Sequence, residues 1–124
     1  MAKIYNLFST SEAPPDTFTN ESANALLPIV RRLTQEAIQE TDEILKKIPY
    51  VVKDTPPYKA LCEEYDAAVV RWTEKIHRIG ALAKGIWLVD FDTGDGYLCW
   101  KYPEKRVRYF HEYSGSYKTR KRVC

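Results

Sequence analysis

The sequence is poor in the features that most often reveal a protein's chemistry. Its three cysteines, Cys62, Cys99 and Cys124, are odd in number and show no CxxC spacing. Neither a disulfide framework nor a structural zinc site is indicated, and reduced thiols in a cytoplasmic setting are expected. No cofactor motif is present and no metal ligand set is assigned. A basic leader followed by an apolar stretch is missing, and no apolar run approaches the roughly 20 residues of a membrane span, so a soluble chain without membrane contact is expected. There is no internal repeat and no low-complexity tract. The formal net charge of +2 is unremarkable. The basic excess sits in one tail, Lys118, Arg120, Lys121 and Arg122.

What is present is enough apolar material, 44% of 124 residues, for one domain with a core of its own. The aromatic and β-branched residues concentrate between Ile86 and Glu112, where IWLVDF, GYLCWKY and RVRYFHE are separated by DTGD and PEK. This is a hairpin signal repeated, and it predicts a three-stranded antiparallel meander over about 86–91, 96–102 and 106–112. If Asp92 to Asp95 is the first turn, Val89 pairs with Leu98 and Trp87 with Trp100; if Pro103 to Lys105 is the second, Leu98 pairs with Phe110. Strand side chains alternate between faces. Trp87, Val89, Phe91, Leu98, Trp100 and Phe110 then form the core face. Ile86, Leu88, Asp90, Tyr97, Cys99, Lys101, Val107, Tyr109 and His111 form the opposite one, too polar for a core and too aromatic for plain surface.

Ahead of the meander, apolar residues three and four apart predict two long amphipathic helices, about 19–48 and 57–84. Thr19 is a natural N-cap for the first, and Pro28 lies inside it, leaving the Asn24 carbonyl without its helical donor beside the Asn24 amide. Heptad spacing through Tyr58, Leu61, Tyr65, Ala68, Trp72, Ile79 and Leu82 carries the second helix to a stop at Gly85. The expected fold is α+β: a long antiparallel helical hairpin packed on a β-meander, over residues 17–113. An arm and linker occupy 1–16, and a solvated basic tail occupies 114–124. Two helices of this length leave apolar surface uncovered by so small a sheet, and a homodimer is expected to bury it.

The stretch FTNESANALLPIVRRL, followed later by GIWLVDF, GYLCWKY and RYFHEY, resembles the pattern of the prokaryotic domain-of-unknown-function family 2203, over about residues 17–120. The resemblance implies a helical hairpin and no assigned activity. The matching positions are Asn24, Leu27, Pro28, Arg31, Asp90, Cys99, Trp100 and His111, with Arg120 near the end. Ser22 stands where the family pattern has an acid, which weakens a capping box from Thr19. The tail also lacks the glycine expected just before Arg120.

On the predicted register Asp90, Tyr97 and His111 form one cross-strand row, with Cys99 diagonal to Asp90 and His111 at about 7 to 8 Å between Cα atoms. A thiol beside an imidazole oriented by a carboxylate is the arrangement of a cysteine nucleophile, with Cys99 attacking, His111 as base and Asp90 holding its tautomer. The same three side chains offer sulfur, nitrogen and oxygen to a transition metal, short of a fourth ligand. Tyr97 and Tyr109 would flank a planar small-molecule ligand, to which Asn24 and Arg120 add polar contacts. His77, off the apolar stripe, is expected to be solvated. The acidic turn DFDTGDG fails the calcium-loop pattern, since its sixth position is Asp95 and its twelfth Lys101. Nucleic-acid binding through the tail rests on four clustered cations alone and ranks below a solvated tail. The reading that follows is a noncatalytic binding or interaction module working through the Asp90, Tyr97, Cys99, Tyr109, His111 face. A cysteine-dependent enzyme is the alternative.

Overall fold

The structure is a computed structural model that describes residues 17–123. The expected N-terminal arm, residues 1–16, and Cys124 lie outside the described residues. Helix α1 runs Asn20–Lys47, a 3-10 turn Ile48–Tyr50 follows, and α2 runs Pro56–Arg78. Five strands come next: β1 Leu82–Gly85, β2 Leu88–Asp92, β3 Tyr97–Lys101, β4 Tyr109–His111 and β5 Lys121–Arg122, with a 3-10 turn Tyr117–Thr119 before the last. All neighbours are antiparallel and the order in space is the order in sequence. The fold is therefore α+β as expected, but among the described residues the meander has five strands where three were predicted. No helix among the described residues is long and apolar enough to cross a membrane.

The start of α1 is set by Thr19, whose Oγ1 accepts from Ser22 N–H at 3.0 Å while Thr19 N–H donates to Ser22 Oγ at 2.9 Å. The serine thus completes the capping box that its replacement of an acid was expected to weaken, because a hydroxyl reaches the same backbone donor. The end of α2 differs from expectation. The helix stops at Arg78, with Gly80 at φ 94, a left-handed conformation that glycine adopts without strain. Leu82 and Ala83, which extend the heptad in sequence, belong instead to β1. Gly85, expected to stop the helix, ends that strand, and Trp87 at φ 58 carries the tight reversal into β2.

The main core lies between the helices and one face of the sheet. Ala23, Leu27, Val30 and Ala37 of α1 and Trp72 and Ile76 of α2 pack on Val89, Phe91, Leu98 and Trp100, with Trp87 and Phe110 partly buried beside them. The core face is the one the alternation predicted. Trp72 Nε1–H donates to Thr34 Oγ1 at 3.0 Å across the helical hairpin, so its indole is buried without an orphan donor. A second, smaller cluster of Ile44, Leu61 and Ala68, with Ile48, Val51 and Tyr65 around it, holds the far end of the hairpin and contains no sheet residue.

The β2–β3 pairing places Val89 opposite Trp100 and Phe91 opposite Leu98, two residues displaced from the predicted pairing. A displacement of two preserves which face each side chain takes. The β3–β4 pairing, Leu98 with Phe110, is as predicted. Val107 departs from the expected outer face: it is 1% exposed and sits in the main core. It can turn inward because the chain leaves the ladder at residues 106–108, where Asn24 Nδ2 donates to Val107 O at 2.9 Å and Val107 N–H donates to Asn24 Oδ1 at 2.8 Å. A side-chain amide replaces the missing strand partner. His77, expected in solvent, is half-buried.

Candidate functional site

The polar face of the sheet is not open. Asp90, Cys99 and His111 are 2%, 0% and 5% exposed, because the segment after β4 folds back over them and pairs with β4 through Tyr109–Arg122 and Phe110–Lys121. The tail expected to be solvated thus supplies a cover and a fifth strand. The rows differ from those predicted: Asp90 is directly opposite Cys99, which is opposite Tyr109, while Asp92, Tyr97 and His111 form the next row. Asp90, Cys99 and His111 are nevertheless brought together, each with a donor atom within 4.8 Å of the others.

His111 Nε2 lies 2.9 Å from Asp90 Oδ2, and Nδ1 lies 2.8 Å from the Glu112 carbonyl oxygen. A carbonyl only accepts, so Nδ1 carries a hydrogen. One further proton lies between Nε2 and Oδ2, as imidazolium and carboxylate or as imidazole and carboxylic acid. Asp90 Oδ1 has no hydrogen-bond partner of normal geometry, and the Cys99 thiol is a polar neighbour of the carboxylate. Burial raises the Asp90 carboxyl above its ordinary range, opposed by His111, by the thiol and by Lys84. Burial, and then the Asp90 charge, push the Cys99 thiol up to about 12. A nucleophile needs the opposite environment, and both His111 nitrogens are already engaged with other partners.

Arg120 closes the tail side. Its guanidinium is bidentate on Glu104, Nη1 to Oε1 at 3.0 Å and Nη2 to Oε2. It lies between the rings of Tyr109 and Tyr117, 3.9 and 4.1 Å from their centroids, and Nη1 is 4.0 Å from Cys99 Sγ. The planar group stacked on Tyr109 is therefore a side chain of the chain itself. Tyr97 packs against His111 and Tyr113, with Lys84 Nζ 4.2 Å from its ring centroid. Tyr113 donates to Asp92 Oδ1 at 2.6 Å, pinning the covering segment to the end of β2; that hydrogen bond is the main reason its phenol is raised to about 12. Of the other sequence-derived candidates, Asn24 lies away from this cluster, with its amide committed to Val107.

A cleft of about 520 Å³ opens between the covering segment and the sheet, with Asp90 and His111 on its floor and Lys84, Leu88, Gly115, Ser116, Tyr117 and Lys118 around them. Lys84 reaches it because the β1–β2 register shifts between Ala83 and Gly85, a bulge that re-aims the intervening side chain. Sequence reasoning missed Lys84, Glu104 and Tyr117. Lys84 was placed in a helix, while Glu104 and Tyr117 stand in a turn and a tail with no periodic signal.

A protein-family model described as an uncharacterized conserved protein (DUF2203) matches residues 16–123. No curated protein and no solved structure matches the chain.

Proposed function

The chain belongs to the DUF2203 family of uncharacterized conserved proteins, and from its cleft we propose that it is a noncatalytic binding module for a small anionic ligand. One observation carries this reading: a ligand-sized cleft whose floor is the Asp90–His111 pair and whose rim holds two lysines, Lys84 and Lys118. Its volume of about 520 Å³ falls within the roughly 300 to 1,000 Å³ of small-molecule sites. The exposed ammonium groups suit a carboxylate or phosphate, and Ser116 and Tyr117 on the same wall add polar and aromatic contacts. The cysteine-enzyme alternative is less well supported, because burial and the Asp90 charge push the thiol up to about 12 against the opposing effect of Arg120, and both His111 nitrogens have other partners.

The test is thermal unfolding with inorganic phosphate, citrate, malate and a sugar phosphate at millimolar concentration, for the wild type and for Lys84→Ala/Lys118→Ala. A ligand present at about 100 times its Kd adds about 2.7 kcal/mol of stability, which a melting curve resolves. The expected result is a stabilising ligand whose effect disappears in the double variant while its unliganded melting temperature is kept. Equal stabilisation of both proteins, or none of either, would reject the cleft as the site.

A homodimer is a second part of the proposal, supported by apolar side chains that the helices leave exposed: Ile29 at 42%, Leu45 at 45% and Val70 at 54%.

A further inference from the structure

We propose that Asp90, Cys99 and His111 form a binding site for a divalent transition-metal ion of the zinc type. The three side chains offer oxygen, sulfur and nitrogen, the donor types that zinc accepts together. Their donor atoms lie within 4.8 Å of one another. Metal–ligand bonds of about 2.0 to 2.3 Å in a tetrahedron put ligand atoms about 3.3 to 3.8 Å apart, so small side-chain rotations suffice. Three adjacent strands present them, Asp90 and Cys99 as a direct pair and His111 one row along. No local sequence spacing therefore announces the set.

Two further observations point to a cation. His111 donates Nδ1–H to the Glu112 carbonyl at 2.8 Å, the contact that fixes a metal-bound imidazole in the tautomer whose Nε2 lone pair is free for the ion. Asp90 Oδ1 is buried with no hydrogen-bond partner of normal geometry, the weakly donating Cys99 thiol being the carboxylate's other polar neighbour, and a metal bond would satisfy it more fully.

The charge balance removes the main objection, which is the nearness of Arg120 and Lys84. Without an ion, the cluster holds the thiol proton, the proton shared by His111 and Asp90, and the Nδ1 hydrogen. Entry of one divalent ion displaces the first two protons and leaves thiolate, carboxylate and neutral imidazole around it. Two positive charges leave as one doubly charged ion arrives, so the cationic neighbours see no change in net charge. Asp90 and His111 both line the cleft, from which water or an anion would supply the fourth ligand. This inference does not rest on the proposed anion site, since the ion loads whether or not an anion follows.

The experiment is a Co²⁺ titration of the full chain carrying Cys62→Ser and Cys124→Ser, so that Cys99 is the only thiol, in buffer free of phosphate and carboxylates. One equivalent of Co²⁺ should produce a near-ultraviolet thiolate-to-cobalt band and strong visible bands of tetrahedral cobalt, both discharged by Zn²⁺. Cys99→Ser should remove the ultraviolet band, and Asp90→Asn, nearly isosteric, should weaken Co²⁺ binding by more than about 100-fold. Circular dichroism establishes that each variant is folded; should Asp90→Asn unfold, Cys99→Ser alone carries the comparison. Absence of the thiolate band in the folded protein, or its survival in Cys99→Ser, overturns the site. Lys84→Ala/Lys118→Ala should keep the cobalt spectrum, which separates failure of the metal site from failure of the anion cleft.

Discussion

Replacing Arg120 by alanine should both destabilise the protein and uncover Cys99. The Arg120 side chain is 11% exposed and that of Glu104 25%, so the pair is neither a surface ion pair nor a fully desolvated one. Breaking a buried pair costs about 3 to 5 kcal/mol, largely through the carboxylate left behind. Partial solvation and the Lys101 N–H that donates to Glu104 Oε1 at 3.0 Å bring this toward about 2 kcal/mol. Two stacked tyrosine faces add about 0.5 to 1 kcal/mol each. The sum is about 3 to 4 kcal/mol, to be read from urea unfolding followed by tryptophan fluorescence. Arg120→Lys keeps the charge but loses the planar fork and both stacks, and should fall about midway. Alkylation of Cys99, followed by mass spectrometry under native conditions, should accelerate in Arg120→Ala, because the guanidinium beside Sγ holds the cover in place. A loss below about 1 kcal/mol, or Cys99 as unreactive as in the wild type, would refute the view of Arg120 as the closing contact.

Four further outcomes are expected. Asn24→Ala should cost about 1 to 3 kcal/mol in urea unfolding, since it removes two hydrogen bonds and orphans the Val107 N–H, while Asn20 Nδ2 still donates to the Val107 carbonyl at 3.2 Å. Gly96→Ala should lower the melting temperature by several degrees or prevent folding, as a Cβ there would meet Phe110 Cζ at 2.5 Å and the His111 carbonyl oxygen at 2.7 Å. The Cys99 thiol binds its proton more tightly folded, about 12 against 9.0 unfolded. Its contribution is therefore fully present below pH 9 and lost as pH rises toward 12. Wild-type stability should fall more steeply than that of Cys99→Ser above pH 9, and parallel curves would show that the thiol is not so held. Sedimentation equilibrium should give a dimer mass that Val70→Glu reduces to a monomer; a monomeric wild type would remove the homodimer from the proposal.

The sequence already showed which side chains share a face, and the reason is parity. The β2–β3 pairing was misjudged by two residues because the turn is centred one residue later than expected, with Asp92 paired to Tyr97 and Thr93 N–H donating to Gly96 O at 2.8 Å, yet an even displacement leaves Asp90, Cys99 and His111 together. Strand β1 was illegible because Leu82 and Ala83 fit the heptad of α2 as well as they fit a strand. Only the left-handed backbone at Gly80 separates the two. The burial of the site was also hidden. It depends on Tyr113, Tyr117 and Arg120, which show no periodicity and find their places through Asp92, Tyr109 and Glu104, partners far off in sequence.

The clasp of Asn24 on Val107 bears on how the protein avoids alternative folds. An amphipathic helix with apolar residues three and four apart offers nearly the same stripe after sliding by one turn, about 5.4 Å. Apolar packing alone therefore separates neighbouring alignments of α1 on the sheet only weakly. The Asn24 amide both gives to and receives from Val107, and Asn20, one turn earlier, adds a third hydrogen bond to the same carbonyl, so a helix slipped by one turn would lose at least one of the three. The residue acts as a vernier: it contributes little to the attraction between helix and sheet, and it selects a single alignment for them, much as a lone buried asparagine sets the stagger of a coiled coil.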